Sequence, residues 1–281
     1  MHVFDKKKTL NAFVSAHFNR KTIGMVPTMG ALHSGHLSLV KRAVLENECV
    51  VVSIFVNPTQ FNNEDDLKKY PKTLAADIKL LESVSKNILV FAPTVSEVYG
   101  NSPKSKSYNF GAIEQVMEGA FRVGHFDGVG TIVEKLLSLV NPDKAYFGKK
   151  DYQQLLIIKK LVEITKIDVE IIGCPIVREA NGLAMSSRNE RLAPNLRKEA
   201  AFIYKTLKTA KIKFGTKSAK ELTDWVIAQF TKNTFLELEY FTITKAATLQ
   251  PVKRKHKNTK YRAFIAVYAG EVRLIDNIAL N

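Results

Sequence analysis

Cysteine is nearly missing from this chain of 281 residues: Cys49 and Cys174 are the only two. Each lies beside an apolar run, and neither has a neighbour at a metal-ligand spacing, so both read as buried thiols. A disulfide-stapled scaffold and a cysteine-based metal site are thereby excluded. No apolar stretch is long enough to span a bilayer. The opening MHVFDKKKTL carries lysines without an apolar run or a small-residue cleavage site behind them, so it does not read as a secretory signal. Internal repeats and low-complexity tracts are also missing. A reduced, cytoplasmic protein is expected. Acidic residues are in short supply, 27 against 42 Lys and Arg, for a net charge of +15. The imbalance is concentrated between residues 195 and 262, with sixteen basic and five acidic side chains. Such a surface suits an enzyme with anionic substrates or a nucleic-acid binder, or is a solvated lysine-rich face. Its densest cluster, Lys253, Arg254, Lys255, Lys257 and Lys260, lies between two apolar runs and reads as an exposed hairpin loop.

What is present is 46% hydrophobic residues on a chain long enough for two domains. Strand-like runs at 22–27, 49–56, 88–91, 145–147 and 169–172 alternate with helical patterns at 36–46, 73–84, 131–140 and 152–165. This alternation predicts an α/β fold with a mostly parallel, Rossmann-like sheet over residues 1–175. Ligands of such sheets sit at the carboxyl ends of the strands. From residue 176 to 281 the pattern changes to a polar stretch, helices at 196–214 and 219–230, and β-type runs at 236–244 and 261–268. That part reads as a smaller α+β domain.

Four segments could carry chemistry. PTMGALHSGH, residues 27–36, follows a strand and opens a helix, and unpaired N–H groups and a partial positive charge at a helix start suit phosphate. Gly30 and Gly35 permit close backbone approach. His33 and His36, three residues apart, can face one ligand and donate to phosphoryl oxygens. Zinc is disfavoured because no third ligand pattern accompanies them. SIFVNPTQF, residues 53–61, ends a buried strand in amides suited to a hydroxy acid, or is an ordinary Asn-Pro turn. GKKDYQQ, residues 148–154, offers a glycine and a phosphate-reaching lysine between strand and helix. Asp151 alternatively reads as a helix N-cap and Lys149 as a solvated side chain. MSSRN, residues 185–189, has two hydroxyls and a guanidinium suited to the outer phosphates of ATP, or is a surface loop with capping serines.

Together with FRVGHFDGV and VREANGLA, these segments resemble the pantothenate synthetase family, in the family's order, from about residue 24 to residue 191. This family belongs to the nucleotidyl-transferring enzymes with a histidine motif of HxGH type. The resemblance implies a Rossmann-like ATP- and pantoate-binding domain, a smaller C-terminal lid domain, a homodimer, and a requirement for ATP and Mg²⁺. The implied reaction joins pantoate to β-alanine through a pantoyl adenylate, releasing pyrophosphate and AMP. On this chain it implies that Met29, Gly30, Ala31, Leu32, His33, Ser34, Gly35 and His36 line the ATP site. Gly148, Lys149, Lys150, Asp151, Val177, Met185, Ser186, Ser187 and Arg188 fall at further ATP positions. His36, His33 and Lys150 take the catalytic places, with His36 where the proton donor is usually assigned. Gln60 and Gln154 fall where pantoate is held, Gln60 also near β-alanine. The family usually has Glu where Lys149 stands and Pro where Val123 stands; the first change adds positive charge near the nucleotide.

Two other functions start from the same residues. The HxGH segment alone allows AMP transfer to a phosphate-bearing acceptor, against which Gln60 and Gln154 stand, since Arg or Lys would meet a phosphate better. The net charge alone allows nucleic-acid binding, but no interleaved aromatic platform or RNA-binding motif is present.

Overall fold

The computed structural model describes residues 1–60, 67–68 and 70–281. Phe61, the last residue of the SIFVNPTQF segment, lies outside the described residues. The chain divides into two compact units, one of residues 1–149 and 153–175, the other of residues 150–152 and 176–281.

The first unit is built on six parallel strands: β1 (His2–Phe4), β2 (Ile23–Thr28), β3 (Cys49–Ile54), β4 (Leu89–Phe91), β5 (Lys144–Gly148) and β6 (Glu170–Cys174). Their order is β1-β4-β3-β2-β5-β6. The central strands are the apolar runs of the sequence because both faces are covered; Met25, Val26, Val51 and Val52 have no exposed surface. From β2 the chain winds outward through β3 and β4, then returns to the other side of β2 with β5 and β6. The order therefore reverses between β2 and β5, and a crevice outside the strand ends opens at such a reversal. The segments at 27–36 and 148–149 leave these two strands.

Two departures from the expected elements have local causes. The helix expected from residue 131 begins at His125. Gly124, Gly128 and Gly130 weaken its helical signal in the sequence. Packing explains two of them: a Cβ on Gly128 would come within 2.4 Å of the Thr59 carbonyl oxygen, and one on Gly130 within 3.0 Å of Phe110 and Tyr108. The edge strand β1 and the Lys7–His17 helix are additions to the expected elements; three residues of strand give too short a pattern to stand out.

In the second unit, β7 (Glu237–Lys245), β8 (Tyr261–Ala269) and β9 (Val272–Ala279) form an antiparallel sheet in that order. Helices Ala201–Lys213 and Ala219–Thr231 supply Ile203, Leu207, Leu222 and Val226 to a core shared with Phe241 and Ile265. The single helix expected at 196–214 is two helices meeting at Ala200. Strand β9 is a further element beyond those expected. The basic cluster lies in the loop joining the antiparallel β7 and β8, with Lys253, Arg254, Lys257 and Lys260 outside the buried core. Lys255 is half-buried and donates to the carbonyls of Phe214 (2.6 Å) and Lys217 (2.9 Å).

Candidate active site

The turn after β2 is held by one carboxylate. Asp77, buried on the Leu74–Glu82 helix, accepts hydrogen bonds from the N–H of Ala31 (3.1 Å), the N–H of Leu32 (2.7 Å) and the Thr73 hydroxyl (3.1 Å). The turn needs Gly30 at φ +81°, and a Cβ there would meet Asp77 Oδ2 at 3.0 Å and Ile54 Cγ2 at 3.1 Å. Ala31 also takes a positive φ of 49°, a strain held by its bond to Asp77. Thr28 ties the turn to β3: its hydroxyl donates to the Ser53 carbonyl (2.7 Å) and accepts from Gly30 N–H (3.2 Å).

The Ser34–Glu46 helix then starts with histidines in a capping-box arrangement. His33 Nδ1 accepts from Gly35 N–H (3.1 Å), and His36 Nδ1 accepts from His33 N–H (3.3 Å). A backbone N–H can only donate, so both Nδ1 atoms are acceptors and the ring proton of each neutral imidazole is on Nε2. The two rings lie 4.0 Å apart between centroids. The pair thus carries two Nε2–H donors at a helix start, a favourable place for an anion. Met29, Ser34 and Gly35 lie along the same turn, with Leu32 buried beneath it.

At the end of β3, Asn57 is buried and fully used. Its Oδ1 accepts from the Tyr99 hydroxyl (2.6 Å), Thr59 N–H (3.4 Å) and the Thr59 hydroxyl (3.2 Å). Its Nδ2 donates to the Gly128 carbonyl (3.2 Å) and to Gln60 Oε1 (3.3 Å). Gln60 in turn directs Nε2 to the Met29 sulfur (2.9 Å), so Gln60 lies beside the histidine turn. His125, the first residue of the His125–Val140 helix, has Nδ1 3.1 Å from the Gln60 carbonyl oxygen, and its Nε2 lies 3.1 Å from Arg122 Nη1.

After β5, Gly148 and Lys149 remain in the first unit. The Lys149 stem runs past Gly173 of β6, whose missing Cβ would come within 3.2 Å of Lys149 Cε. The neighbouring Cys174 thiol is pushed up by burial, against the opposing pull of Arg42, so it is a protonated core thiol and not a nucleophile. Gln153 is buried, with Oε1 accepting from Glu118 N–H (3.1 Å) and Nε2 donating to the carbonyls of Ile113 (2.8 Å) and Val116 (2.7 Å). Gln154, the next residue around the helix, is half-buried on a different face.

Lys150 and Asp151 group with the second unit. There the Lys150 carbonyl accepts from Asn277 Nδ2 (2.7 Å), and Lys150 Nζ lies 3.4 Å from Asp151 Oδ1. Asn277 Oδ1 accepts from Arg262, whose guanidinium stacks on the Tyr152 ring at 4.1 Å. In the same unit residues 177–185 form a small hairpin: Met185 N–H donates to the Val177 carbonyl (3.0 Å) and Glu179 N–H to the Leu183 carbonyl (2.8 Å). The buried carboxylate of Asp276 anchors its base through two bonds from Arg178, 2.6 and 2.9 Å, and Arg178 also stacks on Tyr204 at 3.5 Å. Ser186 caps the short helical turn Ser187–Arg191, its Oγ accepting from Arg188 N–H (3.3 Å). The capping alternative for a serine here is realised, and its O–H can still donate. Asn189 holds the turn from inside through Glu179 (2.7 Å) and the Ala184 carbonyl (3.0 Å).

Within the first unit the fold therefore brings His33, His36, Met29 and Gln60 together. In the second unit, strand β9 holds both Lys150 and, through Arg178, the hairpin before Ser186–Arg188. Asp77 and Tyr99 in the first unit, and Asp276 and Asn277 in the second, support these residues and lie in none of the sequence motifs, whereas His125 falls within FRVGHFDGV. Asp77 carries a readable signal, a carboxylate in helical phase with the buried Leu81; Tyr99 and Asn277 carry none. Among the described residues no three His, Cys, Asp or Glu side chains cluster as a metal cage, and no helix is long and apolar enough to cross a membrane.

Known proteins are similar to this chain along its whole length. The pantothenate synthetase of Flavobacterium psychrophilum is 55% identical over 282 residues, covering 100% of both chains. The crystal structure of pantothenate synthetase from Thermus thermophilus superposes with a TM-score of 0.91 at 38% identity, covering 100% of this chain and 99% of that one. The pantoate–β-alanine ligase of Francisella tularensis, solved in complex with β,γ-ATP and β-alanine, matches with a TM-score of 0.81 at 37% identity over 100% and 98% of the two chains. The family model described as pantoate–β-alanine ligase matches residues 2–279, and the chain belongs to that family.

Proposed function

We propose that the chain condenses pantoate with β-alanine to give pantothenate, using ATP and passing through pantoyl adenylate. The observation that carries this reading is the pairing of two Nε2–H imidazole donors at a helix start with the Gln60 amide beside them. One element suits a phosphate and the other an uncharged-amide contact to a hydroxy acid. The first unit is assigned ATP and pantoate, the second the phosphate clamp of a lid; a homodimer is the assembly carried over from the family.

Pantoate's carboxylate is ionised at neutral pH, so the first step needs no general base. It needs the carboxylate aligned with the α-phosphorus and the phosphoryl charge screened. A carboxylate oxygen bonds to that phosphorus as the bond to the β-phosphate oxygen breaks. His33 and His36 donate to the phosphoryl oxygens, Lys150 adds a point charge, and Ser186, Ser187 and Arg188 hold the departing pyrophosphate. Gln60 and Gln154 position pantoate. Met29, Gly30, Ala31, Leu32, Ser34, Gly35, Gly148, Lys149, Asp151, Val177 and Met185 shape the nucleotide site. β-Alanine gives up a proton from its ammonium, with the adenylate phosphate or His36 as the acceptor, and its amine then attacks the acyl carbon as the bond to AMP breaks. Mg²⁺ would supply charge neutralisation on the phosphates, held through them and water with one or two carboxylates.

Isotope exchange between pyrophosphate and ATP tests the route. Exchange should depend on pantoate and proceed without β-alanine; exchange that requires β-alanine overturns the adenylate.

A further inference from the structure

The side-chain amides of Asn57 and Gln60 stand in series, and the outer one is useful to a substrate only if its correct end faces outward. Gln60 Oε1 and Nε2 have nearly the same shape and opposite hydrogen-bonding character. With Nε2 outward the residue offers a donor to a carboxylate or hydroxyl oxygen. With Oε1 outward it would set one acceptor against another, an unfavourable contact with an anionic acid.

What selects the end is Asn57. Its Nδ2 meets Gln60 Oε1 at 3.3 Å, which turns Gln60 Nε2 toward Met29. Asn57 is itself oriented by its other neighbours. The Gly128 carbonyl, which can only accept, takes a bond from Nδ2, and Thr59 N–H, which can only donate, faces Oδ1 at 3.4 Å. The shortest contact is the Tyr99 hydroxyl, which donates to Oδ1 at 2.6 Å and lies 3.2 Å from the Thr59 hydroxyl. The Tyr99 ring is placed separately, by Phe55 at 6.4 Å between centroids and by Lys135 Nζ over its face at 5.2 Å. Burial pushes the Tyr99 phenol above its ordinary value, so it remains an O–H donor across the working pH range.

We infer that Tyr99 is a positioning residue for the acid substrate: its hydroxyl anchors Asn57 in the place from which Nδ2 holds Gln60 Oε1, leaving the Gln60 donor end for pantoate. The inference rests on the proposed role of Gln60. Tyr99 touches no reacting atom; the Gly128 carbonyl and Thr59 N–H set the sense of the Asn57 amide, and Tyr99 fixes its position.

The test is a double-mutant cycle of Tyr99→Phe and Gln60→Ala, reading the KM for pantoate and for ATP in the full-length enzyme, with thermal unfolding to show that each variant is folded. Tyr99→Phe keeps the ring contacts and removes only the hydroxyl. It should raise the pantoate KM about tenfold, the effect of roughly one charge-assisted hydrogen bond, and leave the ATP KM near its original value. In the Gln60→Ala background the same change should add little. A Tyr99→Phe effect that is absent, equal in both backgrounds, or shared by the ATP KM overturns the positioning role and leaves the Gln60 assignment standing. A pantoate KM unchanged by Gln60→Ala overturns both.

Discussion

Residues 27–36 and residues 177–191 look alike in the sequence, each a polar segment with glycine and side chains suited to phosphate, yet they are built in opposite ways. In the first the backbone turn fixes the place of two imidazole donors. A single buried carboxylate, Asp77, holds two consecutive N–H groups, a positive-φ Gly30–Ala31 pair sets the bend, and the histidine Nδ1 atoms cap the helix so that Nε2–H remains the ring donor. In the second the side chains proposed for phosphate stand on a scaffold of ion pairs, Arg178 with the buried Asp276 and the part-exposed Arg197 with Glu179 (3.0 Å). A backbone-built site is fixed by its turn and tolerates little change in conformation. A side-chain site depends on charges distant in sequence, here Asp276, 98 residues from Arg178.

The largest expected effect sharpens the first half of that contrast. His36→Ala should lower turnover by about two to three orders of magnitude, the usual loss for one electrostatic donor, with circular dichroism unchanged. A variant that keeps near-normal pantothenate formation breaks the site assignment. Next comes the ion pair of the second unit. Asp276→Ala leaves Arg178 without its carboxylate and should cost about 3–5 kcal/mol of stability in denaturant unfolding. A loss below about 1 kcal/mol would mean that the hairpin at 177–185 does not depend on it. Asp77→Ala should cost less, about 1–3 kcal/mol, because it orphans backbone N–H groups of the histidine turn while no charge is left unpaired; activity should fall with it.

The smallest effect is in the acid limb of stability, away from both regions. Glu221 is lowered from 4.5 to about 2, first by its bond from Ser218 N–H, then by the Ser218 hydroxyl and Lys217. A depressed carboxylate stabilises the fold above its unfolded value and loses that contribution as pH falls through the folded one. Glu221→Gln should therefore flatten part of the decline in melting temperature between about pH 4.5 and pH 2 while leaving activity at neutral pH alone. An unchanged decline would show that other carboxylates carry it.

The first half of the chain is legible because buried parallel strands are continuous apolar runs, and CVVVSI in β3 is as plain a signal as a sequence offers. The helix at His125–Val140 reads six residues short because its glycines, placed there for contact with Thr59, Tyr108 and Phe110, look like helix breakers without that contact. Strand β9 goes unread although it holds Lys150 and Arg178, because it mixes Arg273, Asp276 and Asn277 among apolar residues. The histidine turn is legible because strand, glycine and helix start are contiguous.

Residue types and their local order were thus enough to determine an α/β first unit, a strand-to-helix turn with two imidazoles, and the family to which the motifs belong. Only the tertiary structure decided which nitrogen of each imidazole bears the proton, which end of the Gln60 amide is the donor, and that residues 150–152 fold with the second unit. These are questions of direction and partnership. A hydrogen bond has a donor end and an acceptor end, and its sense is set by whatever one-way group, such as the Gly128 carbonyl for Asn57 or the Lys150 carbonyl for Asn277, the folded chain brings to meet it.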